Sequence, residues 1–183
     1  MLKFKFDFEK TLQASAVLLR SHGKQMSVLR LLKLLYIADR ELLATTGNTM
    51  TGDRAVAMDH GPVLTRVYDL IKQQAKRAGE WDGVIHKVGY TLHLVGDPGT
   101  GHLSKGDAAK LQEVTDRYLA VDDWTLADKI THEFPEWVGN YQEGTSQRIP
   151  WEDVLKAHGK EAWIADIEND LAAQRSFDAL FGG

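Results

Sequence analysis

The stretch from Ser27 to Ala44, SVLRLLKLLYIADRELLA, constrains the fold of this chain more than any other segment. Placed at 100° per residue, Leu31, Leu32, Leu34, Leu35 and Ala38 spread over most of a helical wheel, while Arg30, Lys33 and Arg40 share one narrow polar stripe. A helix apolar over that much of its surface is enclosed by protein on several sides. At about 18 residues it is too short and too charged to span a membrane, which takes ~20 mostly apolar residues. The segment predicts a globular domain packed around one central helix, with Ser27 as its N-cap.

The 183 residues suit a single domain over 1–183. A chain of that size buries roughly two-thirds of its unfolded surface and needs no covalent staple. It contains no cysteine, which excludes disulfides, zinc–thiolate and iron–sulfur sites and a thiol nucleophile. The opening MLKFKFDFEK lacks the apolar run of a signal peptide, so a cytoplasmic location is expected. The net charge of −4 conceals a gradient. Residues 1–87 carry 14 Lys/Arg against 9 Asp/Glu, residues 88–150 carry 5 against 10, and residues 151–183 carry 3 against 7. An acidic rear half argues against a general nucleic-acid coat and suits a partner surface of two signs.

Apolar periodicity predicts helices over 9–22, 27–44, 62–78, 104–119, 125–133, 150–157 and 160–180. The 62–78 helix is placed by Pro62, because proline suits a helix's first turn. Ser104 with Asp107 imitates a capping box. Residues 54–58 are read as an extended or helical connector. The alternation of Val88, Tyr90, Leu92 and Leu94 within 83–95 predicts a β-hairpin turning near Lys87–Gly89. The expected fold is mainly α: a compact helical domain of six to seven helices with one small β-hairpin.

Signals for catalysis are absent. The seven histidines form neither HExxH nor HxH, and a metal site takes three or four convergent ligands. No GxSxG occurs. The glycine-rich 96–102 loop has no GK[ST], and Pro98 removes one amide donor from it. The carboxylate pairs Asp122-Asp123 and Glu152-Asp153 are explained as helix starts. No enzyme, no metal and no cofactor is therefore expected. Four basic residues on the 62–78 segment leave a DNA-binding regulator as an alternative, and His60 with His132 leaves a metal-dependent hydrolase as another.

Two segments carry a resemblance. One is Leu31–Asp39 (LLKLLYIAD), followed by Ala57–Val63 (AMDHGPV) and Val67-Tyr68. The other is Leu126–Glu133 (LADKITHE), followed by Pro135-Glu136-Trp137 and Ile149–Asp153 (IPWED). In this order they resemble the Panacea domain of the phage-associated, SocA-like antitoxins, over about residues 9–157 and short of the C-terminal 160–183 helix. The resemblance implies a non-enzymatic antitoxin that binds its cognate toxin, with an adaptor that delivers a toxin to a protease complex as a variant. Neither a membrane partner nor direct nucleic-acid binding is expected from the apolar runs and the charge distribution. His60 departs from the pattern, since the family often has an aromatic residue there. The motif residues Tyr36, Asp39, His60, Gly61, Pro62, Tyr68, His132, Pro135 and Trp137 are expected to be structural. The toxin-binding candidates are Arg66 and Lys72 on the basic face of the 62–78 segment, and whichever of Trp81 and Trp124 is exposed.

Overall fold

The computed structural model describes residues 1–182. Asp7 caps α1 (Phe8–Ser21) by accepting from the Lys10 amide. Strand β1 (Gln25–Ser27) leads into α2 (Val28–Thr46), which Ser27 caps at one end and left-handed Gly47 closes at the other. Strands β2 (Ala55–Met58) and β3 (Gly61–Leu64) precede α3 (Thr65–Ile71) and α4 (Ala78–Asp82). Next come β4 (Ile85–Val88), β5 (Thr91–Leu94), α5 (Lys105–Tyr118) and α6 (Asp123–Thr125). A π turn over Leu126–Ile130 and a 3-10 turn over Thr131–Glu133 continue α6 directly. The rest is α7 (Pro135–Asn140), β6 (Gln147–Ile149), α8 (Trp151–Ala157) and α9 (Ile164–Phe181).

The helix over 27–44 is central. Leu31, Leu34, Leu35, Tyr36, Ile37 and Ala38 are fully buried, in one core cluster that draws on elements from Leu2 to Ile167. Of its polar stripe, Arg30 and Lys33 are buried and Arg40 is half-buried. Arg30 reaches Asp123 at 3.0 Å and the Val121 carbonyl at 2.7 Å. Arg40 pairs with buried Glu136, which also accepts from Tyr36 at 3.0 Å. Asp39 accepts from the Met50 and Thr51 amides at 2.7 and 2.9 Å and pins the following loop to the helix. Tyr36 and Asp39 are thus satisfied groups of the interior, as buried polar residues must be.

The expectation of a mainly α domain with one hairpin is overturned. Two three-stranded antiparallel sheets, ordered β1-β5-β4 and β3-β2-β6, accompany nine α-helices among the described residues, so the fold is α+β. The 83–95 hairpin exists, but β1 joins it from remote sequence by pairing Met26 with Leu92. The 54–58 connector is β2, and β6 reaches it by pairing Ile149 with Ala55. Strands of three or four residues show too little alternation to be legible, and their partners are remote.

Pro62 begins no helix. It sits in edge strand β3 opposite Ala57, where a missing amide removes no ladder bond. The helix there starts at Thr65, and buried Asp53 caps it from outside by accepting from the Arg66 and Val67 amides at 3.1 and 3.0 Å. At α5 the capping box is complete, with the Asp107 amide donating to Ser104 Oγ and the Ser104 amide to Asp107 Oδ2. Ser104→Ala is expected to cost about 1 kcal/mol, read as a lower urea midpoint at unchanged slope.

Candidate functional site

The N-terminal half of α2, the β2–β3 turn, the start of α3, the β4–β5 turn, α6 and the loop before β6 enclose a mainly apolar groove of about 890 Å³. Val28, Leu29 and Leu32 form an apolar wall with Met58, Val63 and Tyr68. Two aromatic rings stand open to solvent along it: Trp124, 60% exposed, and Tyr90, 89% exposed.

The β2–β3 turn is tied down on several sides. Trp137 Nε1 donates to the Met58 carbonyl at 3.1 Å. Asp59 accepts from the Tyr141 hydroxyl at 3.1 Å and from the Gly144 amide at 3.0 Å, which fixes the groove's far lip. His60 Nδ1 lies 3.0 Å from Asp128, and its ring meets Trp124 edge-on with centroids 5.3 Å apart. Gly61, at φ +90°, abuts the junction of the π and 3-10 turns so closely that a Cβ would lie 2.2 Å from Thr131 Oγ1. Behind it His132, Trp137 and Tyr141 form a three-ring stack with spacings of 3.9 and 4.4 Å.

Lys33 closes the floor. It is 0% exposed, and its ammonium donates to the Pro62 carbonyl at 2.8 Å. Burial lowers its pKa to about 7, only partly opposed by the Asp128 carboxylate. Burial likewise lowers His132 below the ordinary histidine value, although Asp128 works the other way. His132 Nε2 lies 3.9 Å from Asp128 Oδ1 and makes no hydrogen bond among the described residues. The fold therefore brings His60 and His132 to one carboxylate. No set of three or more His, Asp or Glu groups among the described residues is arranged to hold a metal ion.

A family model described as "Antitoxin SocA-like, Panacea domain" matches residues 31–138. The chain belongs to that family. Neither the curated proteins nor the solved structures compared with the chain give a match. The Panacea span contains Lys33, Asp59, His60, Val63, Tyr68 and Trp124, so the groove is built largely from the family's own segment. The Ile149–Asp153 segment lies outside the match.

The structure separates the candidate binding residues. Trp124 lines the groove. Lys72 flanks it, lying 4.2 Å over the ring of groove residue Tyr68 and 3.3 Å from Asp69. Arg66 is exposed but belongs to another hollow. Trp81 is corrected: at 1% exposure it is a core residue, because α4 turns Ala78 and Trp81 inward. Of the motif residues, Tyr36 and Trp137 are buried, Gly61 and Pro62 form the edge strand, and Pro135 opens α7. Tyr68 is half-buried, and His60 is exposed on the groove.

Sequence reasoning did not single out Lys33, which it placed on the polar stripe of the central helix, or Tyr90, which it placed in the alternation of a half-buried strand. Gly89, at φ +60°, puts Tyr90 in the turn, where Val88 is exposed too and only Leu92 of the four alternating residues is fully buried. A signal for Lys33 existed, since it stands among leucines on a helix read as enclosed.

Proposed function

We propose that this chain is the antitoxin of a toxin–antitoxin pair, and that it neutralises its toxin by binding it along the groove without a catalytic step. The observation that supports this most is the overlap of the family segment with an open apolar groove carrying exposed Trp124 and Tyr90. An antitoxin has to hold its target tightly, and nanomolar affinity corresponds to about −12 kcal/mol. A few large side chains entering desolvated contacts supply most of such an energy, with tryptophan and tyrosine prominent among them. Asp59, Asp123 and Lys72 at the margins would steer association and set its salt dependence more than its lifetime.

The test is co-purification with the product of the neighbouring gene, followed by affinity measurements and rescue from that toxin. Trp124→Ala and Tyr90→Ala are each expected to weaken binding at least tenfold (about 1.4 kcal/mol). Both side chains are exposed, so the melting temperature should not move. Phe177→Ala, an equally exposed aromatic on α9, should leave binding unchanged. Wild-type affinity in both groove variants would place the interface elsewhere. Loss of rescue with full binding would replace masking by a catalytic mechanism.

A further inference from the structure

A second hollow, of about 220 Å³, lies apart from the groove and shares none of its lining residues. Lys3, Arg54, Arg66 and Arg148 line it, and Asp53 is the one acidic residue among its walls. The Asp53 carboxylate is already engaged, accepting from the Arg54, Arg66 and Val67 amides. The chain has nine arginines. Arg20, Arg30, Arg40, Arg77 and Arg117 are paired with carboxylates. Among the described residues Arg54, Arg66, Arg148 and Arg175 are not, and three of those four converge here. None of the three guanidinium groups donates a hydrogen bond within the described residues. Arg66 is held instead over the Phe6 ring at 5.4 Å.

Like charges gathered in one concavity repel each other, and a concavity of one sign concentrates counter-ions. The guanidinium group presents paired N–H donors in a planar fork that matches phosphate oxygens. We propose that this hollow is a binding site for a phosphate-type oxyanion of more than one negative charge. Its volume falls below the roughly 300–1,000 Å³ of pockets that enclose drug-sized ligands. It therefore suits a phosphate or diphosphate group, with any nucleoside attached to that group left outside. The site does not depend on the toxin-binding reading of the groove.

The experiment is calorimetric titration of the full chain with inorganic pyrophosphate at low salt, beside orthophosphate and adenosine diphosphate. Saturable one-to-one binding of pyrophosphate is expected, with orthophosphate weaker because it carries less charge. Arg54→Gln and Arg148→Gln are each expected to weaken pyrophosphate at least tenfold, and Arg175→Gln, outside the hollow, to leave it unchanged. Adenosine diphosphate binding as tightly as pyrophosphate, or more tightly, identifies a nucleotide-borne diphosphate. Much weaker binding identifies the free inorganic ion. A rise of the wild-type melting temperature with pyrophosphate gives a second readout that needs no variant. Absence of saturable binding and of that rise, or an equal loss in Arg175→Gln, overturns the site.

Discussion

Gly61→Ala is expected to destabilise the protein by roughly 2–5 kcal/mol, from two causes that act at the same atom. A left-handed conformation costs an L-residue roughly 1–2 kcal/mol, and Gly61 has φ +90°. Forcing a methyl group into filled space costs a further 1–3 kcal/mol or so. Here the methyl would meet Thr131 Oγ1 at 2.2 Å, Lys33 Cε at 3.2 Å and the Ala127 carbonyl at 3.3 Å. Thr131 cannot swing away freely, because it is fully buried and its hydroxyl donates to the Ala127 carbonyl at 2.7 Å. Two comparison variants separate the causes. Gly89→Ala has a positive φ but open space around it, and Gly139→Ala has open space with no positive φ. Denaturant titration should rank the losses Gly61, then Gly89, then Gly139. A Gly61 loss no greater than that of Gly89 would show that contact with the π turn does not fix this glycine. Thr131→Ala should recover part of the Gly61→Ala loss, since contacting residues couple in a double-mutant cycle.

Gly61 also shows where the sequence could be read and where it could not. The Gly-Pro pair was read as a helix start and lies in a strand instead, whereas the central helix, the Ser104 cap and the 83–95 hairpin were legible, because each is written in local chemistry within a few residues. The partner of Gly61 is a turn 70 residues later, and local patterns carry no information about it. The two sheets failed for the same reason: β1 and β6 pair with strands remote in sequence, and each is three residues long. The wheel that placed α2 at the centre left its cationic stripe without named partners. Enclosure of the helix on most sides gives Arg30, Lys33 and Arg40 partners within the protein, on α6, the β3 carbonyl of Pro62 and Glu136. Trp81 and Trp124 could not be told apart by residue type alone. Burial separates them, and it depends on what the rest of the fold lays over each.

Lys33→Met is expected to raise stability at and below neutral pH and to lose that advantage as pH rises from about 7 towards 10. Burial holds the Lys33 pKa at about 7 in the folded protein, against an ordinary 10.5. Between these values the unfolded chain binds the extra proton and the folded protein does not, so wild-type stability climbs with pH across that window. Below about pH 7 both states are protonated, and the cost of burying the ammonium is fully present. One pKa unit corresponds to about 1.4 kcal/mol, which makes the whole span on the order of 5 kcal/mol. Methionine removes the charge at similar length and adapts its shape to the space, so the penalty disappears at low pH. At high pH the wild-type amine is neutral and still satisfies the Pro62 carbonyl at 2.8 Å, a bond methionine cannot make. The difference between variant and wild type is the quantity to follow. Asp39, raised to about 7 by burial, makes stability fall as pH rises from about 4 to 7 in both proteins, and it cancels in the difference. Urea midpoints of the two proteins at pH 6, 8 and 10 test this. A gap that stays constant over the series would mean that folding leaves the charge on Lys33 undisturbed. A gap that closes would mean that the amine at the floor of the groove changes its protonation between the folded and unfolded states across this range.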